Sequence, residues 1–456
     1  MTVSRREFLR GAAAVGVLGS APAMLEPAAA APGPSGGRPL SEVDWDAASA
    51  DLRDVRSEAP PPASVTDRFD PWVEVDPAAL AFNVEVVSRL AGGRPILAVI
   101  KNNAYGLELT TTGKILEQLP QVWGLAVVKT EAALELKAAG IQKPVVLMAL
   151  FADEDGPELV ARGVDLCLTT DDAGERVQRA ARETGMPPRV HAYLDTGMSR
   201  MGIPYHRAVP WLVALAERGI HPFSTFMGFT EDPEYDQEQL RRFLEVARDL
   251  RARGVDPGLL HSASSAAVFN FPDGHLDMVR PGIALFGAYS SNEGTEREIA
   301  ELRPAFRLRA RVVRVERLRP GDSVSYGREY IAQEPTWVAT LPVGHSDGYL
   351  REAVQGARVL INGRTYPAIG AVSASHTIVE LGGGSELGRG SETGGGTELG
   401  GRSRQSEEPG VRIGDVATLV GPDHTDIHPN VLATRTGRSV YDVLMHLNAG
   451  LPRVVV

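Results

Sequence analysis

Ile96-Leu97-Ala98-Val99-Ile100-Lys101-Asn102-Asn103-Ala104-Tyr105-Gly106 decides how this chain is read. Its unbroken apolar start has the character of a strand buried on both faces of a parallel sheet. The run closes in a lysine, and an ammonium group is costly to bury without a partner or a task. Two readings follow. Lys101 either surfaces where its strand ends, its stem lying along apolar neighbours, or sits in a dry pocket. There it can lose its proton and form a Schiff base with a carbonyl compound.

Working outward, similar runs recur at Trp123–Val128, Val145–Leu150, Val164–Thr169, Val190–Asp195, Phe223–Gly228, Leu259–Ser262 and Met278–Phe286. With Ile96–Lys101 they make eight. Helical periodicity fills the intervals, as in Thr130-Glu131-Ala132-Ala133-Leu134-Glu135-Leu136-Lys137-Ala138-Ala139-Gly140, which has a Thr/Glu start and a glycine stop. Thr170-Asp171-Asp172 opens another helix in the same way. The fold class is α/β. Eight strand-like runs with helices between them predict a (β/α)8 TIM-type barrel over residues 71–304, with a doubly wound open sheet as the alternative. In such a barrel chemistry gathers at the C-terminal strand ends. The polar residues of these runs cluster there: Lys101, Asp195 with Arg200, Ser262 with Ser264 and Ser265, and Arg280.

Past Pro304 the alternation changes. Phe306–Arg317, Thr336–Val343, Ala357–Ile361, Ile378–Leu381 and Val416–Val420 read as strands between Gly, Pro and Asp turns. Residues 305–456 therefore form a mainly β C-terminal domain with little helix. A Gly/Ser/Glu-rich tract at about 382–410 cannot bury a core and is expected to be a disordered surface insert.

At the N-terminus, Ser4-Arg5-Arg6-Glu7-Phe8-Leu9-Arg10 precedes an Ala/Gly-rich apolar run and the small residues Ala28-Ala29-Ala30-Ala31. This order is that of a twin-arginine signal peptide over 1–31, too weakly apolar to span a membrane. Export to the periplasm or another extracytoplasmic space follows as an expectation, with no membrane span once the signal is removed. Residues 32–70, rich in Pro, Gly, Ser and acids, read as a linker. A formal net charge of −11 with no basic patch argues against a nucleic-acid partner. The single cysteine, Cys167, cannot form an intramolecular disulfide and reads as inert core.

Seven motifs in order resemble the alanine racemase family, from about Trp72 to the C-terminus. Ala98–Gly106 resembles its cofactor-lysine motif, and Asp195-Thr196-Gly197-Met198-Ser199-Arg200-Met201-Gly202 its substrate-arginine motif. His261-Ser262-Ala263-Ser264-Ser265-Ala266-Ala267 and Asp277-Met278-Val279-Arg280-Pro281-Gly282-Ile283 are similar to its phosphate and pyridine segments. Ser323-Val324-Ser325-Tyr326-Gly327, Leu341–Tyr349 and Ser439-Val440-Tyr441-Asp442-Val443 follow.

The resemblance implies a fold-type III enzyme using pyridoxal 5′-phosphate, with an amino acid as substrate and no metal. It also implies a homodimer whose active sites are shared between subunits. Lys101 would be bonded to the coenzyme, and Tyr105, Ser265, Gly282, Ile283 and Tyr441 would hold its phosphate. Arg280 would face the pyridine nitrogen, which a permanently protonated guanidinium leaves unprotonated. Arg200 would grip the substrate carboxylate, helped by the backbone of Ala374 from the partner. Racemisation needs a proton taken from one face and returned on the other, so two bases flank the α-carbon. Lys101 and Tyr326 of the partner subunit match them.

Four positions depart from the family pattern. Tyr193 stands in place of a lysine that orients the substrate arginine, and Gly228 in place of a histidine beside the pyridine-facing arginine. His345 replaces a tyrosine at the substrate entrance, and Ala374-Ser375 replaces a Met-Asp pair. Several of these touch the substrate side, so a widened substrate range is expected, as in exported broad-specificity racemases. A decarboxylase or lyase of the same barrel family, and a coenzyme-binding protein without turnover, remain the alternatives.

Overall fold

A computed structural model describes residues 64–292, 295–383 and 409–456. The signal peptide expected at 1–31, nearly all of the linker at 32–70 and most of the insert at 382–410 lie outside the described residues. No helix among the described residues is long and apolar enough to cross a membrane.

The strands in chain order begin with β1 (Trp72–Val75), β2 (Ile96–Val99), β3 (Val122–Val127), β4 (Val145–Leu147) and β5 (Val164–Leu168). They continue with β6 (Val190–Asp195), β7 (Ile203–Pro204), β8 (Ser224–Phe226) and β9 (Leu259–His261). Seven of them, β2 to β6 with β8 and β9, lie side by side and parallel, β7 being a short addition to β6. Met278 bridges His261 and Val279 bridges Ile96, both in parallel, so the curled sheet closes on itself. The Leu97 amide donates to Val279 O (2.9 Å) and the Val279 amide to Pro95 O (3.1 Å). This closure makes a barrel and excludes the open doubly wound sheet.

The eighth element is shorter than its apolar run. Met278–Phe286 was expected as one strand, but only Met278 and Val279 pair. Pro281 has no amide to continue a ladder, and the chain turns at Gly282 into a 3-10 turn, Ile283–Phe286. The first run is also shortened: β2 ends at Val99, and Lys101 opens a turn instead of extending the strand.

Helices cover the outside. Pro77–Leu90 starts with Pro77 at its first position, and the Asp76 carboxylate accepts from the Ala79 amide (3.0 Å), a standard cap. Its buried Asn83 donates to Leu285 O (3.1 Å) and Arg303 O (2.8 Å) and accepts from the Arg303 amide (2.8 Å). That side chain anchors the Ile283–Phe286 turn from outside the barrel. The helix after Thr170-Asp171-Asp172 runs Ala173–Thr184. The Asp172 carboxylate does not cap it, being taken by the Thr170 hydroxyl (2.6 Å) and Arg176 (2.7 Å).

The second domain contains β10 (Phe306–Arg311), β11 (Arg314–Leu318), β12 (Ser323–Val324), β13 (Tyr330–Ile331) and β14 (Thr336–Leu341). Then follow β15 (Arg358–Ile361), β16 (Arg364–Ile369), β17 (Thr377–Gly382), β18 (Val416–Val420) and β19 (Arg453–Val455). The main sheet has the order β11-β14-β17-β16-β15-β18-β10-β1-β19. Trp72–Val75, where the alternation opens, thus pairs with β10 and β19 before the chain enters the barrel. Phe306–Arg317, expected as one strand, divides in two. The Val312 amide bonds to Asp415 O and the Val313 amide to Thr340 O, so adjacent residues serve different neighbours. Two short helices, Pro429–Thr436 and Val440–Met445, bring this domain to the barrel mouth.

Candidate active site

Lys101 leaves β2 into a backbone that turns the wrong way for L-residues. Asn102, Asn103, Ala104 and Tyr105 have φ of 54°, 55°, 51° and 54°, and Gly106 has 90°. The left-handed region costs roughly 1–2 kcal/mol per ordinary residue, less for asparagine. Packing holds the turn. Tyr105 is buried, 4.9 Å from the Phe286 ring and 6.3 Å from Tyr441, centroid to centroid. Arg453 of β19 donates to Gly106 O (2.6 Å), and Gly106 lies so close to Leu444 O that a β-carbon would collide with it. The second domain thus clamps the lysine's loop. Lys101 is half-buried, and its amine pKa lies below the ordinary value, through burial first and the Arg200 charge second.

Beside this turn is a cradle of neutral donors. The Ser265 hydroxyl accepts from the amides of Gly282 (2.9 Å) and Ala284 (3.2 Å). A β-carbon at Gly282 would run into the Tyr105 hydroxyl and lie 2.9 Å from its Cζ. The Ser264 hydroxyl is buried and has no hydrogen-bond partner among the described residues. Tyr105 and Tyr441 keep their protons: burial pushes both phenols up, and for Tyr441 the Glu231 and Glu296 carboxylates add to it. Hydroxyls and amides converging where glycine makes room suit a phosphate ester.

Arg280 is buried at the barrel's closing segment. It donates to His261 Nδ1 (3.0 Å), Met227 O (2.6 Å) and Ser262 O (3.3 Å), and lies 5.0 Å over the Phe226 ring. Burial brings its pKa down to about 10, which still leaves a cation at neutral pH. Phe226 also stacks on Tyr193 (4.4 Å, 26°) and on His261 (5.2 Å, 18°). Tyr193 therefore lies in the barrel interior, and His261 gives Arg280 an imidazole neighbour although Gly228 has no side chain.

Arg200 follows a loop shaped by Asp195, whose carboxylate accepts from the amides of Gly197 (2.9 Å) and Ser199 (3.0 Å). Arg200 is exposed and forms no ion pair among the described residues; its charge bears on both Lys101 and Arg280.

Lys101, Tyr105, Arg200, Ser265, Arg280, Gly282, Ile283 and Tyr441 thus gather at one mouth. Tyr326 and Ala374 do not join them within the chain. The Tyr326 ring is 77% exposed on a turn flanked by left-handed Ser325 and Arg328, with the Ser325 hydroxyl bonded to Ala371 O (2.7 Å). Exposed Ala374 accepts from the Ser346 amide (3.0 Å), and half-buried His345 accepts from Arg351 (2.7 Å). No hydrogen bond, ion pair or ring contact joins Tyr326 or Ala374 to Lys101 among the described residues.

Cys167 is buried and its thiol pKa is raised, as inert core requires. Sequence reasoning gave no role to the polar residues inside the barrel: Asp165, His191, Ser224 and His261, all buried. Their signal was present. Each sits two residues from an inward-facing side chain or ends a strand pointing inward, where branched apolar residues ordinarily fill a barrel.

Residues 75–290 match the family model described as alanine racemase, N-terminal domain, and residues 305–455 match alanine racemase, C-terminal domain. The chain is 31% identical over 318 residues to the alanine racemase of Desulforamulus reducens, covering 68% of this chain and 85% of that one. With the alanine racemase of Carboxydothermus hydrogenoformans it shares 30% identity over 391 residues, 84% of this chain and 99% of the other. The solved alanine racemase from Streptomyces coelicolor A3(2) superposes with a TM-score of 0.74 at 28% identity, over 85% of this chain and 98% of that one. In both of its domains, the chain belongs to the alanine racemase family.

Proposed function

We propose that this enzyme interconverts L- and D-alanine with pyridoxal 5′-phosphate, acting as a homodimer in which Tyr326 reaches the partner's site. One observation carries the reading. An amine of depressed pKa opens beside a cradle that a β-carbon would fill and an orphaned buried hydroxyl, with a buried guanidinium alongside. The donor set suits the coenzyme: Ser264, Ser265, Tyr105, Tyr441 and the Gly282 and Ile283 amides for its phosphate, Arg280 for its ring nitrogen, Lys101 for its carbonyl carbon. When bound, the coenzyme supplies an electron-accepting ring that stabilises negative charge at a substrate α-carbon.

The chain's own groups do the rest. Lys101 Nζ, neutral at lower pH than an exposed lysine, takes or returns the α-proton on one face. Tyr326 does so on the other, its phenol needing nearby cations because its ordinary pKa is ~10. Arg200, which has no ion pair among the described residues, receives the substrate carboxylate as a guanidinium fork. The exposed Tyr326 turn supports the dimeric reading, since a phenol held out by strained backbone is placed for a second chain. His345 and Ala374, smaller than the tyrosine and methionine they replace in the family, support turnover of side chains larger than methyl.

Borohydride reduction of purified protein, then digestion, is expected to leave a pyridoxyl label on the Lys101 peptide. Chiral chromatography of signal-free protein with a panel of L- and D-amino acids is expected to show alanine and larger substrates racemised. An unlabelled Lys101 peptide refutes the coenzyme assignment. Carbon dioxide release without racemisation would make the enzyme a decarboxylase, and strict preference for alanine would refute the wider range.

A further inference from the structure

Four buried side chains continue from Arg280 in file down the barrel interior. Arg280 donates to His261 Nδ1 (3.0 Å); His261 Nε2 meets Ser224 Oγ (2.8 Å). Ser224 Oγ meets His191 Nδ1 (2.6 Å), and His191 Nε2 meets an Asp165 carboxylate oxygen (3.3 Å). All five side chains are buried, Ser224 completely. The file descends because His261 ends β9 while Ser224 opens β8, and His191 and Asp165 are the second residues of β6 and β5. At the far end Arg189 approaches Asp165 (3.5 Å) and lies over the Trp123 and Phe223 rings.

The chemistry of the groups gives the file a direction. A guanidinium has no acceptor, so His261 Nδ1 accepts and its proton sits on Nε2. That N–H donates to Ser224 Oγ, which leaves the serine proton for His191 Nδ1. His191 then carries its proton on Nε2 and donates to Asp165. Every atom is satisfied in this arrangement; a doubly protonated His191 would leave the buried serine hydroxyl proton without an acceptor, at a cost of roughly 1–3 kcal/mol. Burial, Arg280 and His191 hold His261 neutral, with its pKa well below the ordinary value. Other titratable groups also bear on the file: Cys167 senses Asp165 and Arg280, Arg280 senses Tyr193 and Arg200, and Lys137 senses Asp165 and Arg189.

We propose that His261, Ser224, His191 and Asp165 are positioning residues that fix the Arg280 guanidinium and relay the Asp165 charge to it through aligned hydrogen bonds. On the function proposed above, this sets the charge that Arg280 presents to the coenzyme ring. The path is one-dimensional, so cutting it anywhere disconnects everything beyond the cut.

Two measurements test this. Coenzyme-free protein labelled with 15N at histidine is expected to show bare Nδ1 and protonated Nε2 at both His191 and His261, with no titration of His261 between about pH 5 and 9. In the loaded enzyme, Asp165→Asn keeps an acceptor but loses the charge. It is expected to lower kcat about five- to tenfold, hold KM within twofold and shift the coenzyme's visible band. Ser224→Ala should do the same, and Asp165→Asn added to it should change nothing further. A proton on Nδ1 of either ring overturns the direction. Multiplying effects in the double variant, or an unmoved band despite lost stability, overturn the relay in favour of plain core packing. Wild-type protein that takes up no coenzyme overturns the functional reading instead. Wild type that racemises alanine no better than Asp165→Asn overturns the relay alone.

Discussion

Replacing Gly282 by alanine tests the cradle at its tightest point. The new β-carbon would meet the Tyr105 hydroxyl and sit 2.9 Å from Cζ and 3.4 Å from Cε2. Carbon atoms prefer about 3.5–4.0 Å, so the ring must recede by at least about 0.6 Å, and the hydroxyl by more. It has nowhere free to go: Phe286 lies against it at 4.9 Å, Tyr441 at 6.3 Å, and its backbone is held left-handed. Overpacking of this kind costs about 1–3 kcal/mol, and thermal unfolding should shift down by a few degrees. Displacing one hydroxyl donor from a charged phosphate costs about 1.5–3 kcal/mol more in binding. Coenzyme affinity should therefore fall about 10- to 100-fold. Circular dichroism and equilibrium dialysis give the two quantities separately. Tyr105→Phe in the Gly282→Ala background removes the colliding oxygen but keeps Cζ, so it should recover part of the lost stability without recovering affinity. The reasoning is refuted if Gly282→Ala unfolds and binds like wild type, or if the double variant is no more stable than the single.

Further outcomes follow from the same geometry. Arg200→Ala removes the charge that, after burial, depresses the Lys101 pKa. The midpoint for amine-reagent labelling of coenzyme-free protein at Lys101 should therefore move to higher pH; a downward move contradicts the assignment. The same variant should raise KM for alanine by about tenfold or more, since charge-assisted bidentate pairs are among the stronger contacts. Tyr326→Phe should slow racemisation by about 10²- to 10⁴-fold while deuterium from solvent still enters L- or D-alanine on the Lys101 face; racemisation at wild-type rate would remove Tyr326 from the mechanism. We also propose twin-arginine export: changing Arg5 and Arg6 together to lysine should leave unprocessed precursor in the cytoplasm, and unaltered export would exclude that route.

Much of the architecture was readable because its causes are local. Apolar runs ending in polar residues marked the strand ends, and the Thr130-Glu131 start with the Gly140 stop marked the helix Thr130–Ala138. Less legible was anything decided by a distant partner. Trp72–Val75 reads as the start of the barrel alternation, yet its hydrogen bonds go to residues 306–309 and 453–455. β16 has no unbroken apolar run to mark it, although Asn362 and Gly363, with φ of 49° and 79°, form the two-residue turn that joins it to β15. That dipeptide is a strong hairpin signal. The opposite error came at Met278–Phe286, where hydropathy continues past the proline that ends pairing.

The candidate site divides along the same line. Polar residues at strand ends pointed to Lys101, Arg200, Ser265 and Arg280, and the resemblance to the family's ordered motifs added Tyr441. Tertiary structure alone decided that four left-handed residues follow Lys101, that Gly282 must be glycine because Tyr105 lies against it, and that Arg280 answers to an imidazole at 261. It also decided that Asp165, His191 and Ser224 form one file with Arg280, since alternation along a strand tells which residues face inward but not which of them meet. Meeting depends on barrel register and closure, where strands far apart in sequence set hydrogen-bonding distances that no stretch of chain encodes by itself.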